Sequence, residues 1–372
     1  MVHSYVFSNY LEDRYQRVVI GNKMSNSSVV TSGVPQGSIL GPTLFILFLN
    51  DITENLSQGT NIAMYADDTK IWRKIGSQDD HWILQRDINC LLNWAHMNNM
   101  KFHPSKSHVL TITNSYGLNS QRENFVYAID DNPIDYTELE KDLGIHVHSK
   151  LDWSQHCNKL YTKANQRLAL LKRTCSFTKN INKRRAFYLC QVRSQFEHCT
   201  IVWRPSTATM TEKLESIQKR ALKWVLKNEF MSLGDIRVYY QVCKKLNILP
   251  ISIRFDLKDI LFFHQIFYGM STVSFPYYLR NFTGSRLRRC HLDNLCMVSD
   301  IAPKTPQNLT SANMRNVGIS KSFFYRAHTL WNQLPYDVRA IGSPSIFKNR
   351  LLAHLWANIE TTINTTDEDH LV

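Results

Sequence analysis

The stretch NIAMYADDTKIW, residues 61–72, places two adjacent aspartates between two short runs of apolar and β-prone residues. Apolar and polar positions alternate along it, which predicts a β-hairpin with Asp67 and Asp68 at its tip. Adjacent negative charges repel each other, although aspartate is common in turns because its side chain hydrogen-bonds its own backbone. The pair is therefore either an ordinary polar turn or a pair of ligands for a cation.

Patterns on either side of this hairpin predict an α+β fold. Residues 16–33 alternate around turn residues and predict a second hairpin, whereas residues 42–49 predict a helix. That helix is apolar all round, so we expect it to be buried. After Trp153 the pattern becomes almost continuously helical, apart from an irregular and polar stretch over 283–320 that we interpret as a long loop.

The 372 residues carry a formal net charge of +13, and the surplus is concentrated in one block. Residues 150–230 hold 17 Lys and Arg against 5 Asp and Glu. A local block of this kind indicates a polyanionic partner such as nucleic acid, whereas a dispersed excess would indicate little beyond solubility.

Apolar runs in the chain are too short to cross a bilayer. The longest, ILGPTLFILFL at 39–49, contains a proline and falls well below the roughly 20 residues that a span needs, so we expect no membrane association. The N-terminus lacks the order of a signal peptide, and the eight cysteines are expected to be reduced. The sequence predicts an intracellular protein, nuclear or cytoplasmic, with no evident protein partner.

Basic residues recur on predicted helices of the central block. A charged helical stripe is commonly only a solvated face, but acidic partners are scarce here, so we expect contacts with backbone phosphates. The candidate nucleic-acid-binding residues are Lys159, Lys163, Arg167, Lys183, Arg184, Arg185, Lys219, Arg220 and Lys223.

Several longer stretches carry a family resemblance. Tyr65–Asp68 is a tyrosine–x–aspartate–aspartate turn, and the loop and helix SGVPQGSILGPTLFILFLNDI (32–52) precede it. With KFHPSKSHVL (101–110) and DLGIHVHSKLDW (142–153), the sequence resembles the reverse transcriptases of non-LTR retrotransposons of the LINE type, particularly jockey-like elements. The resemblance covers most of the chain and is strongest over 8–153.

The resemblance implies an architecture and an activity. Residues 1–150 would form a partial polymerase palm, an antiparallel sheet with packed helices; 151–230 a basic, helical, thumb-like region; and 231–372 a helical C-terminal region. The activity would be RNA-directed DNA polymerisation, a nucleotidyl transfer to a primer 3′ end assisted by two ions of Mg²⁺ or Mn²⁺. The partners would be an RNA template, a DNA primer and deoxynucleoside triphosphates.

The same resemblance implies roles for individual residues. Asp67 and Asp68 would be catalytic metal ligands, and Lys106 would protonate the departing pyrophosphate. Gln36, Gly37 and Tyr65 would bind substrate. Two alternatives stay open: Gly37 as an ordinary turn glycine and Lys106 as a solvated lysine.

Members of this family use a third carboxylate, on a strand that lies tens of residues ahead of the loop at 33–37. Only 32 residues precede Gly33, and Glu12 and Asp13 fall in a stretch that matches a later passage. We therefore expect this chain alone to polymerise poorly, because two ligands hold a metal and position a primer less well than three. The alternative is a non-catalytic, nucleic-acid-binding remnant of such a polymerase.

Overall fold

The computed structural model describes residues 2–113, 125–228, 231–275 and 322–364; the predicted loop at 283–320 lies outside them. The chain divides into two compact units, residues 1–109 with 115–137 and residues 110–114 with 138–372. Helices and small antiparallel sheets make up both, which confirms the predicted α+β class. None of the described helices is long and apolar enough to cross a membrane.

The first unit consists of short strand pairs and three helices in its described part. The helices are Val2–Leu11 (α1), Leu40–Phe48 (α2) and Gln78–Met97 (α3). The strands are Tyr15–Gln16 (β1), Val19–Ile20 (β2), Lys23–Met24 (β3), Ser28–Val29 (β4), Thr60–Tyr65 (β5), Asp68–Arg73 (β6), His108–Leu110 (β7), Ala128–Ile129 (β8), Asn132–Pro133 (β9) and Asp135–Thr137 (β10). The pairs are β1–β4, β2–β3, β5–β6, β7–β10 and β8–β9, so both predicted hairpins are confirmed.

A small core joins the β5–β6 hairpin to two helices. Ile62 and Ile71 lie opposite each other on the two strands and pack against Leu49, Leu91 and Trp94, at the end of α2 and along α3. Because side chains alternate along a strand, only one face of the hairpin takes part in this core.

The expectation that the apolar helix at 42–49 is buried is wrong. Phe45 and Leu49 face the small core, but Leu47 is 65% exposed and Ile39, just before the helix, is 93% exposed. The pattern shows that the helix is apolar; it does not show whether a neighbour covers each face. Among the described residues, nothing buries the outer face of α2.

The second unit begins with a hairpin and is otherwise helical where described. Its strands are Leu139–Asp142 (β11) and Ile145–His148 (β12). Its helices are Ser154–Thr174 (α4), Ile181–Gln191 (α5), Thr200–Trp203 (α6), Ala208–Leu226 (α7), Ile236–Lys245 (α8), Ile251–Phe267 (α9), Phe323–Asn332 (α10), Tyr336–Arg339 (α11) and Pro344–Asn364 (α12).

Two large clusters stabilise the second unit. In the first, α4, α5, α7 and α8 enclose Trp203, Leu214 and Ile217, which are fully buried. In the second, α9, α10 and α12 enclose Trp331 and Phe347. The almost continuously helical pattern predicted after Trp153 is therefore confirmed in the described part of the second unit.

Candidate functional site

The acidic tip of the β5–β6 hairpin is a two-residue turn. Tyr65 pairs with Asp68, so Ala66 and Asp67 are the two central residues. Ala66 has φ +52°, and Asp67 is not in the positive-φ region, which is the pattern of a type II′ turn. A positive φ is unfavourable for alanine, so the paired strands hold the tip in one tight conformation.

The two neighbouring carboxylates lie on different faces of the hairpin. Tyr65 and Asp68 are cross-strand partners on the outer face, where Tyr65 is 68% exposed. Asp67 instead borders a small pocket on the inner side, together with Thr69 and residues of α2 and α3. Neither carboxylate has a side-chain hydrogen bond or ion pair among the described residues, so both are accessible to a cation.

Lys101 borders the same pocket as Asp67, although sequence reasoning did not single it out. The walls between them are apolar and include Phe45, Leu49 and Phe102. No local pattern predicts this position, because Lys101 lies four residues after the end of α3 and reaches the pocket only through the packing of the helices against the strands. An anion held in this pocket would therefore meet a positive charge in its wall.

The base of the hairpin is attached to the start of α3. Arg73 Nε donates to Asp80 Oδ1 at 2.9 Å, and Arg73 Nη1 donates to the Gln58 carbonyl at 2.8 Å. Asp80 also accepts from the backbone N–H of Gly76 at 3.0 Å; this bond, with that of Arg73, lowers the pKa of Asp80 to about 2. The strand and the helix are thus joined by an ionised carboxylate, which fixes the direction in which the tip points.

The loop that carries Gln36 and Gly37 is ordered by its own contacts. Ser38 Oγ donates to the Pro35 carbonyl at 2.8 Å and accepts from the Gly41 N–H at 3.1 Å. Gly37 has φ +78° with open space around it, so its backbone conformation is a sufficient reason for glycine. In the described part of the chain, no hydrogen bond or ion pair joins Gln36 or Gly37 to the acidic hairpin.

Lys106 ends a short 3₁₀ turn, Pro104–Lys106, and is exposed. Its side chain has no partner within the described ranges, and it does not line the pocket beside Asp67. The structure therefore brings Lys101, and not Lys106, to the acidic tip.

The donor set fits a hard divalent cation in type but not in number. Asp67 and Asp68 supply carboxylate oxygens, which Mg²⁺ prefers. However, the described residues contain no group of three or more His, Cys, Asp or Glu that could hold a metal ion. The tip is thus a partial ligand set.

Arg184 is not a surface residue, which corrects its assignment to a nucleic-acid-binding stripe. It is 5% exposed and donates to the backbone carbonyls of Thr178 at 2.6 Å, Ser176 at 3.3 Å and Trp224. Its guanidinium also lies 4.8 Å from the centroid of the Trp224 ring. These contacts occupy the guanidinium inside the fold, so Arg184 cannot reach a phosphate.

Five other candidates are partly engaged within the second unit, where Lys159 is exposed and the other four are half-buried. Their contacts are Arg185 with the carbonyls of Leu246 and Asn247, Arg167 with the carbonyl of Gln191, Lys219 over the ring of Tyr239, Lys159 with His146, and Arg220 with Asn165. Lys163 and Lys183 are exposed without a side-chain partner in the described part, and Lys223 is half-buried.

A row of basic residues on α7 extends beyond the predicted ones. Lys213 bonds Asn158 at 2.6 Å and Arg220 bonds Asn165 at 2.8 Å, so α7 runs parallel to α4 and beside it. Lys213 was not predicted, although it is seven residues from Arg220 and therefore shares its face of the helix. Together with Lys223, these residues give α7 a basic strip alongside α4.

Comparisons with known proteins agree on one family. A family model described as reverse transcriptase (RNA-dependent DNA polymerase) matches residues 2–155. The RNA-directed DNA polymerase from mobile element jockey of Drosophila melanogaster is 30% identical over 162 residues, which are 42% of this chain and 17% of that protein. The probable RNA-directed DNA polymerases of the D. melanogaster transposons X-element and BS are 28% and 25% identical, over 44% and 59% of this chain.

The chain spans only a part of these relatives, since the matches cover 17% of the jockey polymerase, 18% of the X-element protein and 25% of the BS protein. No solved structure matches the chain. The family match includes the acidic hairpin and the loop before it. Residues 2–155 are therefore similar to the reverse transcriptase family, in the form carried by non-LTR mobile elements such as jockey.

Proposed function

We propose that this chain is the polymerase region of an RNA-directed DNA polymerase from a non-LTR mobile element. The observation that supports this most directly is the tight turn at Asp67 and Asp68, with both carboxylates accessible, inside the segment that matches the family. Residues 1–150 would be part of the palm, 151–230 the thumb-like region and 231–372 a helical C-terminal region. The substrates would be an RNA template, a DNA primer and deoxynucleoside triphosphates.

In this proposal Asp67 and Asp68 hold divalent cations, with Mg²⁺ the expected ion and Mn²⁺ the alternative. When bound, such ions offset the negative charge on the attacking and leaving oxygens of nucleotidyl transfer. The rigid turn fixes both carboxylates, and the exposed ring of Tyr65 beside Asp68 provides a surface for the primer end. Lys101, which lines the same pocket as Asp67, would attract the phosphates of an incoming nucleotide.

Primer extension by the purified chain tests the catalytic part. With an RNA template, a DNA primer and Mg²⁺ or Mn²⁺, we expect weak extension, because two carboxylates form an incomplete ligand set. Asp67→Asn should abolish it, whereas Asp79→Asn, the same change at an exposed position of α3, should leave it unchanged. Extension that survives Asp67→Asn would show that the acidic hairpin is not the catalytic centre.

A second candidate is nucleic-acid binding without catalysis. Two observations favour it. The described residues contain no group of three metal ligands, and α7 carries a basic strip that could contact phosphates. Affinity for an RNA–DNA duplex should then fall steeply with salt and depend little on sequence, because phosphate contacts release counterions. Salt-dependent binding with no extension under any metal condition identifies this function; equal binding at low and high salt excludes it.

A further inference from the structure

One end of the second unit is strongly basic. The helices α5 and α8 contain six Lys and Arg between them and no Asp or Glu. Arg185 of α5 donates through Nε and Nη2 to the carbonyls of Leu246 and Asn247, which directly follow α8, at 2.5 and 3.1 Å. The first half of α5 and the end of α8 therefore lie side by side, and their positive charges add to one another.

Positive charge is in excess at this end of α8. Arg185, Lys244 and Lys245 form what we call the α5–α8 basic surface. Lys244 pairs with Glu360 of α12, with Nζ 2.6 Å from Oε1, whereas Lys245 is exposed and has no side-chain partner among the described residues. Glu360 is the only carboxylate bonded to these three cations in the described part of the chain. The surface therefore keeps an attraction for further negative charge.

The helix α12 ends beside this surface. Trp356 of α12 packs against the first core cluster, to which Val242 and Cys243 of α8 belong. One turn later, Glu360 pairs with Lys244 in the last turn of α8. The helix α12 ends one turn after Glu360, at its last residue Asn364. The chain beyond α12 thus continues from a point next to the end of α8.

The residues that follow α12 are acidic. The stretch TTDEDHLV, residues 365–372, contains at 367–369 the only run of three acidic residues in the sequence. These residues come three to five positions after Asn364. An extended chain covers at most about 3.5 Å per residue, so their backbone can reach roughly 10 to 17 Å from the end of α12. The α5–α8 basic surface lies within this range, because Glu360, which contacts Lys244, is about 6 Å along the axis from the end of its helix.

We propose that the acidic segment 365–372, which lies outside the described residues, docks on the α5–α8 basic surface and shields it from polyanions. Because α12 holds the segment beside the surface, docking is intramolecular, and a few charge pairs suffice where a separate peptide of this length would dissociate. Exposed charge pairs are screened by salt, so the contact is reversible and weakens as ionic strength rises. The docking rests on the contacts of α5, α8 and α12; its effect on nucleic acid rests on the function proposed above.

Carbodiimide cross-linking of the full chain, followed by mass spectrometry of the monomer fraction, tests the docking. The reagent joins a carboxylate directly to an amine that it contacts, so the pair of Glu360 and Lys244 is an internal positive control. We expect further cross-links from 367–369 to Lys245 at low salt and their loss at high salt. Lys348, exposed near the start of α12, is the negative control. Cross-linking of Glu360 to Lys244 without any from the acidic segment overturns the proposal.

Duplex binding tests the shielding. The triple variant Asp367→Asn, Glu368→Gln, Asp369→Asn should bind a labelled RNA–DNA duplex about threefold to tenfold more tightly at low salt, because a segment that occupies the surface most of the time lowers the apparent affinity by that factor. The gain should disappear at high salt.

A matched variant separates shielding from net charge. Glu54→Gln, Asp79→Asn and Asp131→Asn remove the same three charges from exposed positions of the first unit and should change affinity far less. Circular dichroism checks that both variants fold. Equal tightening by the two variants, or none by either, overturns the shielding.

The two experiments separate this inference from the proposed function. If the wild type and both variants bind no duplex, the nucleic-acid function fails, and cross-linking still decides whether the segment docks. If the duplex binds with a steep salt dependence but the segment gives no cross-links, the docking fails and the function stands.

Discussion

The two units of this chain differ in how completely they bury their largest apolar side chains. In the first unit Ile20 is 77% exposed, and the outer face of α2 is bare among the described residues. In the second, Trp203, Leu214 and Ile217 are completely removed from solvent. The unit with the acidic hairpin therefore relies on two small clusters around α3, whereas the unit with the basic helices has a larger, well-packed core.

This difference shows that the functional motifs of the first unit are supported locally. The hairpin tip is fixed by strand pairing, by Arg73 and by the start of α3. Its exposed apolar surface adds nothing to folding free energy until something covers it, and such surfaces favour association. Stability and chemistry are thus concentrated in different parts of the molecule.

The largest expected loss of stability comes from a substitution in the packed core of the second unit. Leu214→Ala should lower the free energy of unfolding of the second unit by about 3 kcal/mol, because it opens a cavity in rigid surroundings. Leu47→Ala on α2 should change the free energy of unfolding of the first unit by less than about 0.5 kcal/mol, since that side chain is already exposed. Urea denaturation followed by tryptophan fluorescence measures both. Equal losses would show that α2 is covered in solution and would break the comparison.

The next expected loss of stability comes from replacing Arg184. Arg184→Gln should cost about 2 to 3 kcal/mol, because it leaves the buried carbonyls of Thr178 and Trp224 without their donor. Lys183→Gln, one position earlier and exposed, serves as the control and should be neutral to stability. The same denaturation experiment applies. A stable Arg184→Gln protein with weakened duplex binding would restore Arg184 to the binding surface.

Acid should affect the two units at different pH. His156 is buried and neutral, so the second unit is fully stabilised above about pH 6.5 and loses up to about 3 kcal/mol as pH falls to about 4. The lowered pKa of Asp80 preserves its contribution in the first unit until pH falls below 3.8 toward about 2. Denaturation at a series of pH values should show the second unit losing stability at a higher pH than the first. His156→Gln should remove the loss of stability between about pH 6.5 and 4. A single transition shared by both units would contradict it.

The smallest expected effect concerns the hairpin support. Arg73→Gln should destabilise the first unit by about 1 kcal/mol, because it removes one ion pair that is partly shielded from solvent. Hydrogen exchange of the β6 amides should accelerate while α7 stays protected. Lys74→Gln, next to it and exposed, is the matched control. Unchanged exchange in β6 would mean that strand pairing alone fixes the tip.

Local periodicity predicted the elements well. Alternation around residues 61–72 identified β5 and β6, and the pattern after Trp153 identified the helical character of the second unit. It could not show that α2 has a bare face, because exposure depends on neighbours that a local pattern does not contain. The turn in the loop at 33–37 is also predictable from its glycine, but a local pattern cannot predict how far this loop lies from the hairpin.

The site was predicted less completely. Arg184 lies four residues before the fully buried Tyr188, so helical spacing did carry the signal that it faces inward, and its charge obscured that signal. Alternation along the hairpin likewise implied that Asp67 and Asp68 diverge. Lys101 was out of reach, because its nearness to Asp67 arises only from the packing of α2 and α3 against the strands.

The parallel course of α4 and α7 has an electrostatic consequence. Side-by-side helices of the same direction add their macrodipoles, so the partial positive ends of both coincide near Lys159 and Lys213, whereas Lys172, Arg173 and Lys223 compensate the partial negative ends. The potential of this surface is therefore graded along the helix axes. An approaching polyanion would meet the steepest attraction at the N-terminal end and would settle from there toward the C-terminal end.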